Sequence, residues 1–195
     1  MIIKHRINSV AALRETETKY GVEVDLQLSN GRLVVGHDPG VSECSFNEWL
    51  THYSHAFIAA NIKQEGIERE VIAACEERGI TKFFLFDLSF PALFTLQKQG
   101  ERRIAIRVSD MEAFQTLELF KEKVDWVWLD AFESYSFITD ALPTLQHFKV
   151  CFVSPELHIN RNQTLTDNLL LQLGKLDLNF QAVCTKDPIY WEGIR

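Results

Sequence analysis

Two carboxylates one residue apart, Glu23 and Asp25, stand in the stretch GVEVDLQLSNGRLVVGHD, residues 21–38. Side chains alternate across a strand, so an extended GVEVDLQL places both acids and Gln27 on one face and Val22, Val24, Leu26 and Leu28 on the other. Such a face is either solvated or turned into a cavity, where a carboxylate pair needs a cation or hydrogen-bond donors to offset its desolvation. A carboxylate pair facing a cavity suggests a metal. His5 and Arg6 precede it, His37 and Asp38 close the stretch after the Asn30-Gly31 turn, and Asn61 and Lys63 share one face of the later run AFIAANIK. Histidines with an ordinary pKa of about 6.5 can exchange protons near neutrality, and Arg and Lys can hold an anion.

Eight apolar runs would have to position these groups: MIIK, VEVDLQL, AFIAANI, KFFLFDL, RIAIRV, DWVWLD, KVCFV and QAVCT, with a short extra run LVV after the second. Between them lie the helical patterns SVAALRETETKY, SFNEWLTHY, GIEREVIAACEERG, FPALFTLQKQ, DMEAFQTLELFKEK, SFITDALPTLQHF and TLTDNLLLQLGKL. Ser45 with Glu48 has capping-box spacing, Gly79 sits where a helix ends on a left-handed residue, and Asn30-Gly31 favours a type I′ turn. Strand and helix in regular alternation indicate a parallel sheet with crossover helices, and eight strands close a (β/α)₈ barrel. The expected fold is therefore α/β, a compact (β/α)₈ TIM barrel forming a single domain over residues 1–195. Each strand–helix unit has only about 24 residues, short for such a barrel. The competing open, doubly wound sheet lacks a glycine-rich phosphate loop after any early strand.

Most runs begin apolar and finish polar at their C-terminal ends, where barrels of this class place their chemistry. Asp87, Arg107, Asp130, Glu156 and Asp187 lie at or just past such ends. A strand leaving a core must turn polar somewhere, which accounts well for Arg107 and Asp187 taken singly. His52, His55, His147 and His158 lack ligand spacing and read as structural. The Phe-rich run at 83–86 reads as core, and Trp126 and Trp128, on one strand face, as core or pocket border.

The net charge of −7 is spread along the chain without a basic run, which argues against nucleic acid or an anionic membrane surface as partner. Four scattered cysteines without a CxxC pair exclude a zinc ribbon and suit free thiols in a reducing compartment. MIIKHRIN is too short an apolar start for a signal peptide and no run approaches a membrane span, so the expectation is a cytoplasmic protein without membrane insertion. The sequence leaves the oligomeric state open.

Taken in order, His5-Arg6, Glu23-Val24-Asp25, Asn30-Gly31-Arg32-Leu33-Val34-Val35-Gly36-His37-Asp38 and Asn61-Ile62-Lys63 resemble the motifs of the glycerophosphodiester phosphodiesterases, among the phospholipase C-like phosphodiesterase barrels. The closing Thr185-Lys186-Asp187-Pro188 is similar to the Thr-Asp-x-Pro near that family's last strand. The motif likeness covers about the first third of the chain. Ile7 stands where the family has a glycine, its Pro-Glu-Asn-Thr segment is absent although Asn8 lies close by, and Asn61 replaces a third metal-binding carboxylate. The resemblance implies metal-assisted hydrolysis of a small phosphodiester. It gives Mg²⁺ or Ca²⁺ on Glu23, Asp25 and Asn61, catalysis by His5, His37 and Arg6, and phosphate binding by Arg6 and Lys63. Asp87, Asp130 and Glu156 are the further carboxylates that could compensate for Asn61. Two alternatives stay open: a catalytically impaired barrel that binds a phosphorylated ligand or a protein partner, and a sugar-phosphate isomerase or aldolase-type barrel built on Lys63.

Overall fold

The computed structural model describes residues 1–42, 44–158, 171, 174–175 and 178–194. Every expected apolar run forms a strand: β1 Ile2–Lys4, β2 Gly21–Ser29, β5 Ile58–Ile62, β6 Phe83–Phe86, β7 Ala105–Val108, β8 Trp126–Leu129, β9 Lys149–Val153 and β10 Ala182–Thr185. The extra run becomes β3, Arg32–Val35, followed by the two-residue β4, Cys44–Ser45. The eight strands in chain order alternate with helical segments, the element order of a (β/α)₈ barrel. The described chain divides into two compact units, Ile3–Gln99 and Gly100–Arg195 with Met1–Ile2.

In the Ile3–Gln99 unit, β2 is the longest strand and organises the rest. It pairs in parallel with β1 through Lys4 opposite Val22, and with β5 through Asp25 opposite Asn61. It also forms an antiparallel hairpin with β3, and β6 extends the parallel set beyond β5. The hairpin turns on Asn30 and Gly31 at φ 50° and 71°, the left-handed pair that a type I′ turn demands. Val22, Val24, Leu26, Ile58, Ala60, Phe84 and Leu85 are fully buried, as expected of parallel strands covered on both faces. Ser45 caps helix Phe46–Thr51 by accepting the Glu48 N–H at 3.1 Å, and Gly79 ends the segment after Glu68–Glu76 at φ 69°.

In the second unit β7, β8, β9 and β10 run parallel in that order, and the Val183 N–H donates to the Met1 carbonyl at 2.9 Å. The segment expected to form a helix at 110–123 contains a 3₁₀ helix, Phe114–Phe120. Its buried side chains, Leu117 and Phe120, are three residues apart, which is the 3₁₀ repeat. A helix the pattern did not announce, Pro188–Glu192, is capped by Asp187 through the Tyr190 N–H at 3.1 Å. The pattern TLTDNLLLQLGKL, residues 164–176, lies almost wholly outside the described residues. No helix among the described residues is long and apolar enough to cross a membrane.

Candidate active site

The acidic face of β2 is not solvated. Glu23 and Asp25 are each 1% exposed and Gln27 5%, so the strand turns three polar side chains inward. Parallel pairing with β5 places Asn61, itself buried, beside Asp25 on the same face.

Each polar group then finds a different partner. Asp25 is well matched: Oδ2 accepts from Asn8 Nδ2 at 2.6 Å, and the Asp25 N–H donates to Asn8 Oδ1 at 2.9 Å. Arg6 Nε lies 3.8 Å from Oδ2, and Lys63 Nζ 3.7 Å from Oδ1. Glu23 is matched on one oxygen only. Its Oε2 accepts the Arg6 N–H at 2.6 Å with His5 Nε2 3.7 Å away, while Oε1 is buried without a hydrogen-bond partner. Asn61 Oδ1 is orphaned in the same way. Burial, and then the charge of Asp25, push the Glu23 carboxyl up to about 8 against the opposing pull of the Arg6 N–H, the Asn61 amide and the Arg6 charge.

The turn that carries His5 and Arg6 is fixed from two sides. Arg6 adopts φ 59°, a left-handed conformation that costs a branched or bulky residue on the order of 1 kcal/mol and persists only where its surroundings impose it. Here the Ile7 N–H donates to the Glu23 carbonyl at 2.7 Å, and the buried Trp49 Nε1 donates to the Ile7 carbonyl at 3.0 Å. That places Trp49 in the scaffold of the turn.

His37 arrives from the far side of the hairpin. Its Nδ1 lies 2.7 Å from Asp38 Oδ1, and His37, Arg6 and Lys63 together hold the Asp38 carboxyl below its ordinary value. The Asp38 carboxyl thus feels the charges of Arg6 and Lys63, the two cations that also flank Asp25. Gln27 locks the loop: its Nε2 reaches the carbonyls of Gly36 at 3.0 Å, Asp38 at 2.8 Å and Val41 at 3.2 Å. A Cβ on Gly36 would lie 2.1 Å from the Val41 carbonyl oxygen. Gly36→Ala is therefore expected to displace the loop and destabilise the protein by about 1–3 kcal/mol, read as a lower urea midpoint; an unchanged midpoint would show that the loop yields without cost.

Asp87 closes β6 at φ 59°. No group of three His, Cys, Asp or Glu side chains stands in metal-ligating geometry among the described residues, so Asp87 does not complete one with Glu23 and Asp25. Asp130 and Glu156 belong to the second unit and are bonded within it. Asp130 meets Arg107 Nη1 at 2.7 Å and His158, while Glu156 accepts from Ser154, Thr185 and the Lys186 N–H. His55 is tied into the scaffold, its Nε2–H donating to the Thr16 carbonyl at 2.9 Å. Sequence reasoning placed Gln27 on the acidic face of β2 without giving it a role, and it did not single out Gly36 or the two-point clamp of Asn8.

Neither protein-family models nor curated protein sequences match this chain. Solved structures do. A glycerophosphodiester phosphodiesterase from Agrobacterium tumefaciens aligns with a TM-score of 0.65 at 13% identity, over 96% of this chain and 96% of that one. A glycerophosphoryl diester phosphodiesterase from Parabacteroides distasonis aligns with a TM-score of 0.68 at 12% identity, over 97% of this chain and 83% of that one. The chain shares their fold. The architecture is thus the (β/α)₈ barrel expected from the alternation of strands and helices, in a compact form. At such identities the likeness carries the fold, and the chemistry must rest on the residues of this chain.

Proposed function

We propose that this protein hydrolyses a small phosphodiester of the glycerophosphodiester type with the help of a divalent cation. The observation that carries the proposal is the mismatch inside the acidic cluster: Glu23 Oε1 and Asn61 Oδ1 are buried without partners, beside an Asp25 already met by Asn8, Arg6 and Lys63. Orphaned buried oxygens next to a carboxylate fit a hard cation, so Glu23, Asp25 and Asn61 would hold Mg²⁺ or Ca²⁺. When bound, the cation supplies charge neutralisation at a phosphate oxygen.

The chain's own residues supply the rest. Arg6, half exposed above Asp25, and Lys63 offer positive charge to the phosphate. His5 and His37 divide the two proton transfers, one taking the proton of the attacking hydroxyl or water and the other protonating the departing alcohol. The Asp38 contact at Nδ1 orients the His37 ring and leaves Nε2 for that exchange. Gln27 holds the loop on which His37 rides.

Asn61 favours a second reading, a barrel of the same fold that binds a phosphorylated ligand with little turnover, because an amide oxygen brings no charge to a cation. The aldolase-type reading has less support. Lys63 is paired to Asp25 at 3.7 Å and partly exposed, a setting for holding an anion rather than for a nucleophilic amine buried among apolar groups.

The test is an assay of the purified chain on glycerophosphocholine and on an aryl phosphodiester, with Mg²⁺, Ca²⁺ or Mn²⁺ and with chelator. Cation-dependent hydrolysis that falls about tenfold or more in Lys63→Met is the expected result. Hydrolysis indifferent to chelator and to Lys63→Met would refute the cation-assisted mechanism at this site, and cation-dependent binding of glycerol phosphate without turnover would establish the second reading.

A further inference from the structure

The second unit holds a cluster for which the proposed hydrolysis has no use. Asp130 directly follows β8 and is 2% exposed. Its Oδ2 accepts from Arg107 Nη1 of β7 at 2.7 Å, and its Oδ1 accepts the Ala131 N–H at 2.8 Å and the Nε2–H of His158, which follows the short 3₁₀ turn after β9. An ionised carboxylate only accepts, so the His158 proton on this side sits on Nε2, and Nδ1 is turned away from Asp130. A buried carboxylate that fixes the tautomer and orientation of an imidazole in this way is one arrangement by which a histidine is held ready to exchange a proton with a ligand.

Two further features point outward. The side chains of Arg107 and His158 are 24% and 21% exposed, so the cationic guanidinium and the ring reach the surface from a buried anchor. Phe132, 44% exposed, meets the His158 ring edge-on with centroids 5.1 Å apart, adding an apolar wall beside the two polar groups.

We propose that Arg107, His158 and Phe132, positioned by Asp130, form a binding site for a phosphate monoester that carries an apolar or aromatic group. A phosphate dianion accepts a hydrogen bond and a monoanion can also donate one, so His158 Nδ1 can meet either form of the ester. Arg107 supplies the charge, and Phe132 contacts the organic part.

The experiment is NMR of the imidazole nitrogens of the full chain, titrated with phenyl phosphate and with inorganic phosphate. The expected result is a saturable shift at His158, several-fold tighter for phenyl phosphate, that weakens about tenfold or more in Arg107→Gln. Arg107→Lys keeps the charge without the planar fork and stands in if the glutamine variant does not fold; it should also weaken binding. Phe132→Ala should remove the preference for the aromatic ester. No saturable shift at His158 up to about 20 mM phenyl phosphate, well beyond a roughly millimolar Kd, overturns the proposal. So does a response confined to His5 or His37, or one unchanged in Arg107→Lys and Phe132→Ala together.

Discussion

Replacing His5 by alanine is expected to lower kcat on a glycerophosphodiester by about 10²–10⁴-fold, the range for loss of a positioned general acid or base. KM should change little, because in the proposed mechanism Arg6 and Lys63 hold the phosphate. His5 ends β1 in a turn that the strained Arg6, the Ile7 N–H and Trp49 fix in place, and its Nε2 lies 3.7 Å from Glu23 Oε2. That carboxylate is the one left with an orphaned oxygen, so the imidazole stands beside a group that would hold the proposed cation. The measurement is steady-state kinetics with saturating Mg²⁺ alongside a circular dichroism melt. A drop in kcat with an unaltered melt assigns His5 to the chemistry. A variant as active as the wild type would remove His5 from the mechanism, and an effect on KM alone would reduce it to substrate binding.

Glu23→Gln should abolish cation-dependent activity while making the cation-free protein more stable. The Glu23 carboxyl, ordinarily at 4.5, is raised to about 8 by burial first and by Asp25 second. A folded-state value above the unfolded one means that the stabilising contribution of protonated Glu23 is complete below about 4.5 and is lost as pH rises through about 8. Glutamine keeps the shape without the ionisation. Its advantage over wild type should therefore grow from pH 4.5 upward and level off above pH 8, at on the order of a few kcal/mol, or roughly 5–10 °C in Tm for a domain of this size. Added Mg²⁺ or Ca²⁺ should close the gap, because a cation that binds ionised Glu23 stabilises only the wild type. Melting curves at several pH values with chelator check this. Parallel curves for the two proteins would mean that Glu23 is ionised in the folded chain at neutral pH and that Arg6, His5 and Asn61 already satisfy it.

The two expectations are linked by one physical fact. A site prepared for a divalent cation must keep negative charge in a place that folding alone would not choose, and the cost appears as a raised carboxyl in the absence of the ion. The stability gain in Glu23→Gln and the activity loss in the same variant are two readings of that cost.

The sequence by itself determined the strands and what stands at their ends. Period-two alternation placed Glu23, Asp25 and Gln27 on one face of β2, the Asn30-Gly31 pair dictated the turn that returns the chain to His37, and every apolar run became a strand in the expected order. These are local properties, set by alternation of side chains and by the φ angles that Asn and Gly tolerate. Whether the acidic face was solvated or buried could not be read locally, since both use the same alternation; pairing with β1, β5 and β3 decided it. The same holds for the groups that give the site its character. Asn8 grips Asp25 across 17 residues, Gln27 clamps carbonyls up to 14 residues away, and Asp130 meets His158 across 28. Such contacts depend on which strand ends the tertiary fold brings side by side, and no spacing within the chain encodes them. The charge state of Glu23 belongs to this second category as well, because a carboxyl titrates according to the solvent and neighbours it is left with, and folding alone determines both.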